Sequence, residues 1–398
     1  MGMSFRMIRL AGGFWLTLAT GLSAAEMSFW DGQQKGANCF NQNVEADYFA
    51  AAKDLGLDYI RLVPDKWSTE HRDFLVGDCD NYTGLVAADL ARVIEVLDLA
   101  HTQGQRIIFG MLSLPGARWR QHNEGESDYR LWQDQAYRDQ ALAFWQDLAA
   151  ALHDHPAILA FNPLNEPHPE LGDGIEDHDR AEFTDWLAQH RGTLRDLNRF
   201  NQEIVAAIRT HAADTPILIE GYDHGSASGL AALTPLADPA ILYSFHFYEP
   251  WNYTASRANG GKYSYPDAMP DWWNSPPSAW TIEHLRERMQ PVADWAAAHG
   301  VPPQRVVAAE FGCERLIAGA TSYLTDVVSL LNEFGWHWSF YSFREDVWQA
   351  MDYELGTHPR NSAYWEAVET GRVPELYHHA DPLWQIFEQQ FRPTDPPE

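Results

Sequence analysis

One arrangement recurs along this chain. A short apolar run closes on a polar residue, and a longer stretch follows with apolar residues three and four apart. The apolar runs cover residues 36–41, 59–64, 106–113, 158–167, 216–223, 241–250, 305–314 and 336–345. After the second run, Leu90, Val93, Ile94, Leu97 and Ala100 fall on one helical face; after the fourth, Leu194, Leu197, Phe200, Ile204 and Ile208 do the same. Similar helical stretches lie at 142–152, 282–300 and 323–335. Eight strand–helix units in roughly 370 residues predict the α/β class and a single-domain (β/α)8 TIM barrel. A doubly wound sheet also alternates strand and helix, but "GANCFNQNVEA", at and after the first run, has no GxGxxG turn.

The polar ends of these runs are Asn41, Arg61, Asn165 and Glu166, Tyr222 and Asp223, His246 and Tyr248, Glu310, and Arg344 and Glu345. In a barrel all strand C-termini share one face, and that face carries the chemistry. Glu166 is followed by Pro167, which is expected to confine it to extended backbone. Glu310 closes the seventh run. Strands spaced ~4.8 Å and tilted ~36° give a barrel radius of roughly 7.5 Å. The carboxyl groups of a strand-four and a strand-seven Glu then meet about 6 Å apart, near the ~5–5.5 Å of retaining glycosidases.

Other features narrow the function. The formal net charge of -28 repels nucleic acid and suits a neutral substrate. Arg6 and Arg9 precede an apolar stretch that ends in Ser23-Ala24-Ala25. This predicts a secretory signal over 1–25, export to the periplasm or medium, and a catalytic domain over 26–398 with no stable membrane insertion. The three cysteines allow one disulfide at most; Cys39 with Cys79 is one option. No cysteine–histidine spacing predicts a structural zinc site, and neither a P-loop nor a Gly-x-Ser-x-Gly elbow is present. No metal or organic cofactor is expected, and a monomer is favoured. The segment after the sixth run holds Trp251, Tyr253, Tyr263, Tyr265, Trp272, Trp273 and Trp280. These rings either stack on sugars or pack the loop onto the barrel.

"NPLNEPH", the His-x-Tyr of "SFHFYEP" and the Glu of "VVAAEFG", in that order, resemble family 5 of the glycoside hydrolases, the cellulase family of the retaining (β/α)8 clan. The resemblance implies a β-glycosidase acting on β-linked glucan or mannan. Glu166 would be the acid/base and Glu310 the nucleophile. Asn165 would bind the sugar 2-hydroxyl, His246 and Tyr248 would line the catalytic subsite, and Arg61 would support Glu310. Arg61 and Tyr248 would lower the Glu310 pKa, and the Glu310 charge would raise that of Glu166. Trp251 is a candidate stacking ring, and either Trp338 or Tyr341 would be the strand-eight platform. The strand-three His common in the family is replaced here by Leu112-Ser113. Alternatives are an exo-acting β-glycosidase on oligosaccharides or glycoconjugates, and a catalytically silent carbohydrate-binding barrel, which would lack one mouth Glu. Metal-dependent hydrolysis would need several His or Asp ligands at strand ends, where His246 alone is well placed.

Overall fold

The computed structural model describes residues 27–175, 180–272, 275–345, 351–359, 366, 369–370 and 377–391. The expected signal segment and Trp273 lie outside them. The barrel strands run β1 (Lys35–Cys39), β2 (Tyr59–Leu62), β3 (Ile107–Gly110), β4 (Ile158–Asn162), β5 (Ile217–Glu220) and β6 (Ile241–Phe247). An antiparallel hairpin follows, β7 (Asp267–Pro270) with β8 (Pro277–Trp280), and then β9 (Val306–Phe311) and β10 (His337–Phe340). The eight strands other than the hairpin are parallel and close on themselves, β10 pairing with β1. The chain therefore forms the (β/α)8 barrel that its alternating pattern predicts. Nearly every strand residue is buried, as expected when helices cover the outside and side chains fill the inside.

The helices fall close to the predicted stretches. Helices Ala87–Thr102, Gln135–Leu152, Leu197–Arg209, Ile282–His299 and Ala320–Phe334 carry their apolar faces onto the barrel. The third starts after Leu194 because Asp196 caps it, accepting from the Asn198 N–H. Gly300 and Gly335 end the last two in the left-handed conformation that favours glycine. Among the described residues no helix is long and apolar enough to cross a membrane. Cys39, Cys79 and Cys313 are all buried and free, so the Cys39–Cys79 bridge is not formed. Burial pushes the Cys39 thiol up to about 12.

The two ends of the barrel differ. At the N-terminal end, a short 3-10 turn (Met27–Asp31) inserts Trp30 against Tyr59, Ile108, Leu159, Leu218, Leu242 and Val307. This apolar plug fills the barrel floor. Gly36 is required beside it: a Cβ there would lie 2.6 Å from the Tyr59 ring. At the C-terminal end the interior turns polar, and two details of register shape it. A bulge at Phe245/His246 brings His246 opposite Glu310. The β4–β5 ladder has one paired position, Phe161 with Ile217, so the end of β4 has little sheet support from β5.

The floor and the mouth are separate layers, which predicts separate effects. Trp30→Ala should destabilise the fold by about 3–5 kcal/mol, while turnover per folded molecule stays near wild type. Denaturant unfolding and active-site titration check this; a large loss of turnover per folded molecule would contradict the separation.

Candidate active site

Arg61 sits at the centre of the mouth with no solvent exposure. It leaves β2 pointing inward, and each nitrogen of its planar fork has partners. Nε donates to Asn162 Oδ1 at 2.9 Å. Nη1 donates to Asn38 Oδ1 at 3.0 Å and to Glu310 Oε1 at 2.6 Å. Nη2 donates to Asn162 and Asn165 Oδ1 at 2.7 and 2.6 Å and to Glu220 Oε1 at 2.9 Å. Five strand ends or adjoining loops are thus tied to one guanidinium, whose rigid geometry suits such a hub.

Glu310, from β9, has both oxygens engaged: Arg61 holds Oε1, and the Tyr248 hydroxyl donates to Oε2 at 2.9 Å. Glu166 reaches the same space from the loop after β4. Its φ is +50°, so Pro167 does not hold it extended as expected. A non-glycine residue in this left-handed region costs about 1–3 kcal/mol. The Glu166 N–H donates to Glu220 Oε2 at 2.8 Å, which fixes the unusual turn. His246 Nδ1 lies 3.0 Å from Glu166 Oε1 and 3.8 Å from Glu310 Oε2. Ligand atoms of Glu166, His246 and Glu310 all fall within 4.8 Å of one another, so the two carboxyl groups converge. A cation could be held only by displacing existing contacts, because Arg61 and Tyr248 already occupy Glu310.

The proton inventory differs from the expected one. Burial raises the Glu310 pKa, ahead of His246 and Arg61, which pull it down. Burial also works to raise Glu166, but the hydrogen bond and charge of His246 overcome it and leave that pKa lowered. Three carboxylates share two cations, and the mobile proton rests on the imidazole. Burial opposes a charged His246; Glu310, Glu220 and the bond to Glu166 prevail and push its pKa up to about 10. Glu220 is held down at about 2 despite burial, by His246 and Arg61.

The aromatic candidates separate cleanly. Tyr341 stands at the mouth beside Phe40, with ring centroids 5.3 Å apart, in an apolar patch with Val63, Leu112 and Met351, against which Trp119 and Tyr248 pack. Trp338 does not line the site. It is fully buried on the outer face of β10, where Nε1 donates to Asn332 and Phe391 packs edge-on. Tyr341 is therefore the strand-eight ring at the mouth. Trp251 is 44% exposed with its ring edge-on to Tyr248 at 6.4 Å. In the same loop Tyr253, Tyr265 and Trp280 are buried and pack the loop down. Asn165 turns its Oδ1 to Arg61, which leaves the amide nitrogen as the group facing away from it.

Three further residues complete the site. Asn38 and Asn162 lie inside the barrel, with Nδ2 groups bonded to main-chain carbonyls and Oδ1 atoms turned to Arg61. Glu220, the last residue of β5, bonds both Arg61 and the backbone of Glu166. A buried Asn or Glu within an apolar run was the available signal.

The raised His246 pKa makes a prediction with a definite sign. In the unfolded chain His246 titrates near 6.5, and in the fold near 10. Its contribution to stability is complete below 6.5 and is lost as pH rises through about 10. His246→Gln should therefore flatten the decline of stability between these limits, measured by urea denaturation across pH. An unchanged slope would contradict the assignment.

Comparison with known proteins agrees with this fold. The model of the family described as "Cellulase (glycosyl hydrolase family 5)" matches residues 21–346. Cellodextrinase A of Ruminococcus flavefaciens is 22% identical over 217 residues, and endoglucanase C of Acetivibrio thermocellus is 24% identical over 220; each alignment covers 54% of this chain and 54% of the relative. The chain thus spans about half the length of the curated relatives it matches. Among solved structures, an endoglucanase of Thermotoga maritima superposes with a TM-score of 0.58 at 18% identity, covering 80% of this chain and 91% of that one. An endoglucanase of Pseudomonas stutzeri does so with a TM-score of 0.59 at 18% identity, covering 90% and 94%. With a family match running from before β1 through β10, this chain belongs to the cellulase family, glycosyl hydrolase family 5.

Proposed function

We propose that this protein is a retaining β-glycosidase that hydrolyses β-linked glucan by double displacement, with Glu310 as nucleophile and Glu166 as acid/base. The observation that carries the reading is the convergence of the two carboxyl groups, with ligand atoms within 4.8 Å across the mouth. Inverting enzymes leave a gap of ~6.5–9.5 Å for a water between the carboxyls, and retaining enzymes need only ~5–5.5 Å. The names of the aligned relatives, an endoglucanase and a cellodextrinase, favour β-glucan over mannan.

In this reading the steps follow in order. A Glu310 oxygen attacks the anomeric carbon as the glycosidic C–O bond breaks, and a glycosyl ester forms. The negative charge of Glu310 disappears into that ester. As that charge is lost His246 holds its proton less tightly, and while the glycosidic bond breaks the proton passes across the 3.0 Å contact to Glu166 and on to the leaving oxygen. In the second step water attacks the anomeric carbon as the ester C–O bond breaks, and its proton goes to Glu166 and returns to His246. Tyr248 and Arg61 receive the regenerated carboxylate. Tyr341 and Trp251 flank the sugar, and Asn165 presents its amide nitrogen to a hydroxyl.

Glu310→Ala should reduce turnover by at least ~10³-fold, and azide should restore it with a product of inverted anomeric configuration. Ordinary activity in that variant would contradict the nucleophile role. For Glu166→Ala, substrates with good leaving groups should glycosylate the enzyme normally and release sugar slowly. Equal losses on good and poor leaving groups, without a trapped intermediate, would argue against the acid/base role.

We also propose that residues 1–25 direct export. Arg6, Arg9 and the Ser23-Ala24-Ala25 site support this. N-terminal sequencing of exported protein should begin at Glu26; recovery only as an uncleaved intracellular chain would contradict it.

A further inference from the structure

We propose that Glu220 is a positioning residue, whose buried carboxylate fixes the backbone of the general acid and couples it to the charge network of the nucleophile. The inference rests on the double-displacement reading above. It starts from a gap in the sheet. The β4–β5 ladder has a single paired position, Phe161 with Ile217, four residues before Asn165 and five before Glu166. Neighbouring ladders β3–β4 and β5–β6 each pair four positions. The segment carrying the general acid therefore emerges without main-chain bonds to β5.

Glu220, the last residue of β5, fills that gap with its side chain. Oε2 accepts the Glu166 N–H at 2.8 Å and holds the left-handed turn that aims the acid inward. Oε1 accepts from Arg61 Nη2 at 2.9 Å, on the same guanidinium that holds Glu310. His246 Nε2 stands 3.4 Å from Oε2, while its Nδ1 faces Glu166. One carboxylate thus touches every group that holds or moves the acid proton.

Glu220 cannot meet the sugar itself. Its side chain has no exposed surface. Gly225 closes over it: a Cβ there would lie 3.3 Å from Glu220 Oε2 and 3.6 Å from His246 Cγ. The role is consequently exerted through Glu166, His246 and Arg61.

The consequence concerns both rate and pH. The charged or titratable groups around His246 are Glu166 after β4, Glu220 on β5, Glu310 on β9, Arg61 on β2, Tyr248 after β6, and His224 near Glu166. Removing the Glu220 charge removes one of the three anions that keep the imidazole protonated.

The test compares Glu220→Gln and Glu220→Asp with wild type on a soluble β-glucan, using kcat, KM and the pH dependence of kcat/KM. Glu220→Gln should lower kcat by ~10–100-fold with KM changed less than ~3-fold, because the acid is misplaced while the sugar-binding surface remains. Its alkaline limb should move down by about one pH unit or more, because His246 loses an anionic neighbour. Glu220→Asp keeps the charge and loses reach, so it should retain the alkaline limb and still lose kcat. A lower melting temperature with unchanged kcat and limb in Glu220→Gln would overturn the proposal. Should Glu220→Gln not fold, wild-type kcat in Glu220→Asp would overturn it and a lowered kcat with an unmoved limb would support it. The Glu310→Ala azide experiment is separate: its failure removes the double-displacement reading, whereas failure of the Glu220 series alone removes only this inference.

Discussion

The mouth of this barrel is organised around a buried positive charge. Arg61 has no contact with solvent, yet it gathers Glu310, Glu220, Asn38, Asn162 and Asn165 within hydrogen-bond distance. Burying a guanidinium is unfavourable unless its charge and donors are met. Here two carboxylates meet the charge and three amides meet the remaining directions. The reverse is equally true. Removing one partner of such a buried pair typically costs about 3–5 kcal/mol, because the other charge is left without compensation. The carboxylates could not remain ionised at this depth without Arg61 and His246.

That constraint propagates outward. Three carboxylates and two cations leave the cluster one charge short of neutral, and His246 carries the proton that can move. Its imidazole stands between Glu166 and Glu310, opposite the latter because the ladder skips Ala309 of β9 and shifts the register by one residue. The site is thus a proton-sharing unit rather than two independent carboxyl groups. The expected raised Glu166 and lowered Glu310 describe such a pair in isolation. Burial raises the Glu310 pKa instead, and the charged imidazole, 3.0 Å from Glu166, lowers that of Glu166.

Much of this was legible before any coordinates. Eight apolar runs separated by helical patterns specified the barrel, because parallel strands covered on both faces read as apolar runs and helices as three- and four-residue spacing. The polar residues at the run ends marked the mouth, and the contacts of Glu166, Glu310, Arg61, His246 and Tyr248 join there. What was not legible has a common origin. On β10, "WHWSFY" alternates Trp336, Trp338 and Phe340 with His337, Ser339 and Tyr341, but alternation alone does not say that Trp338 points to the outer helices and Tyr341 to the mouth. Asn38, Asn162 and Glu220 are single polar residues within buried strands, and their value lies in partners distant in sequence. The left-handed turn at Glu166 was hidden for the same reason: a side chain from the next strand, not the local sequence, holds it.

The account stands or falls on the stereochemistry of hydrolysis. Proton NMR of the first-formed sugar from a β-linked glucan, recorded before mutarotation, measures it directly. Carboxyl groups that converge this closely predict a β-configured hemiacetal, the same configuration as the bond cleaved. An initial α-anomer would contradict the account, since it would require water to attack in place of Glu310.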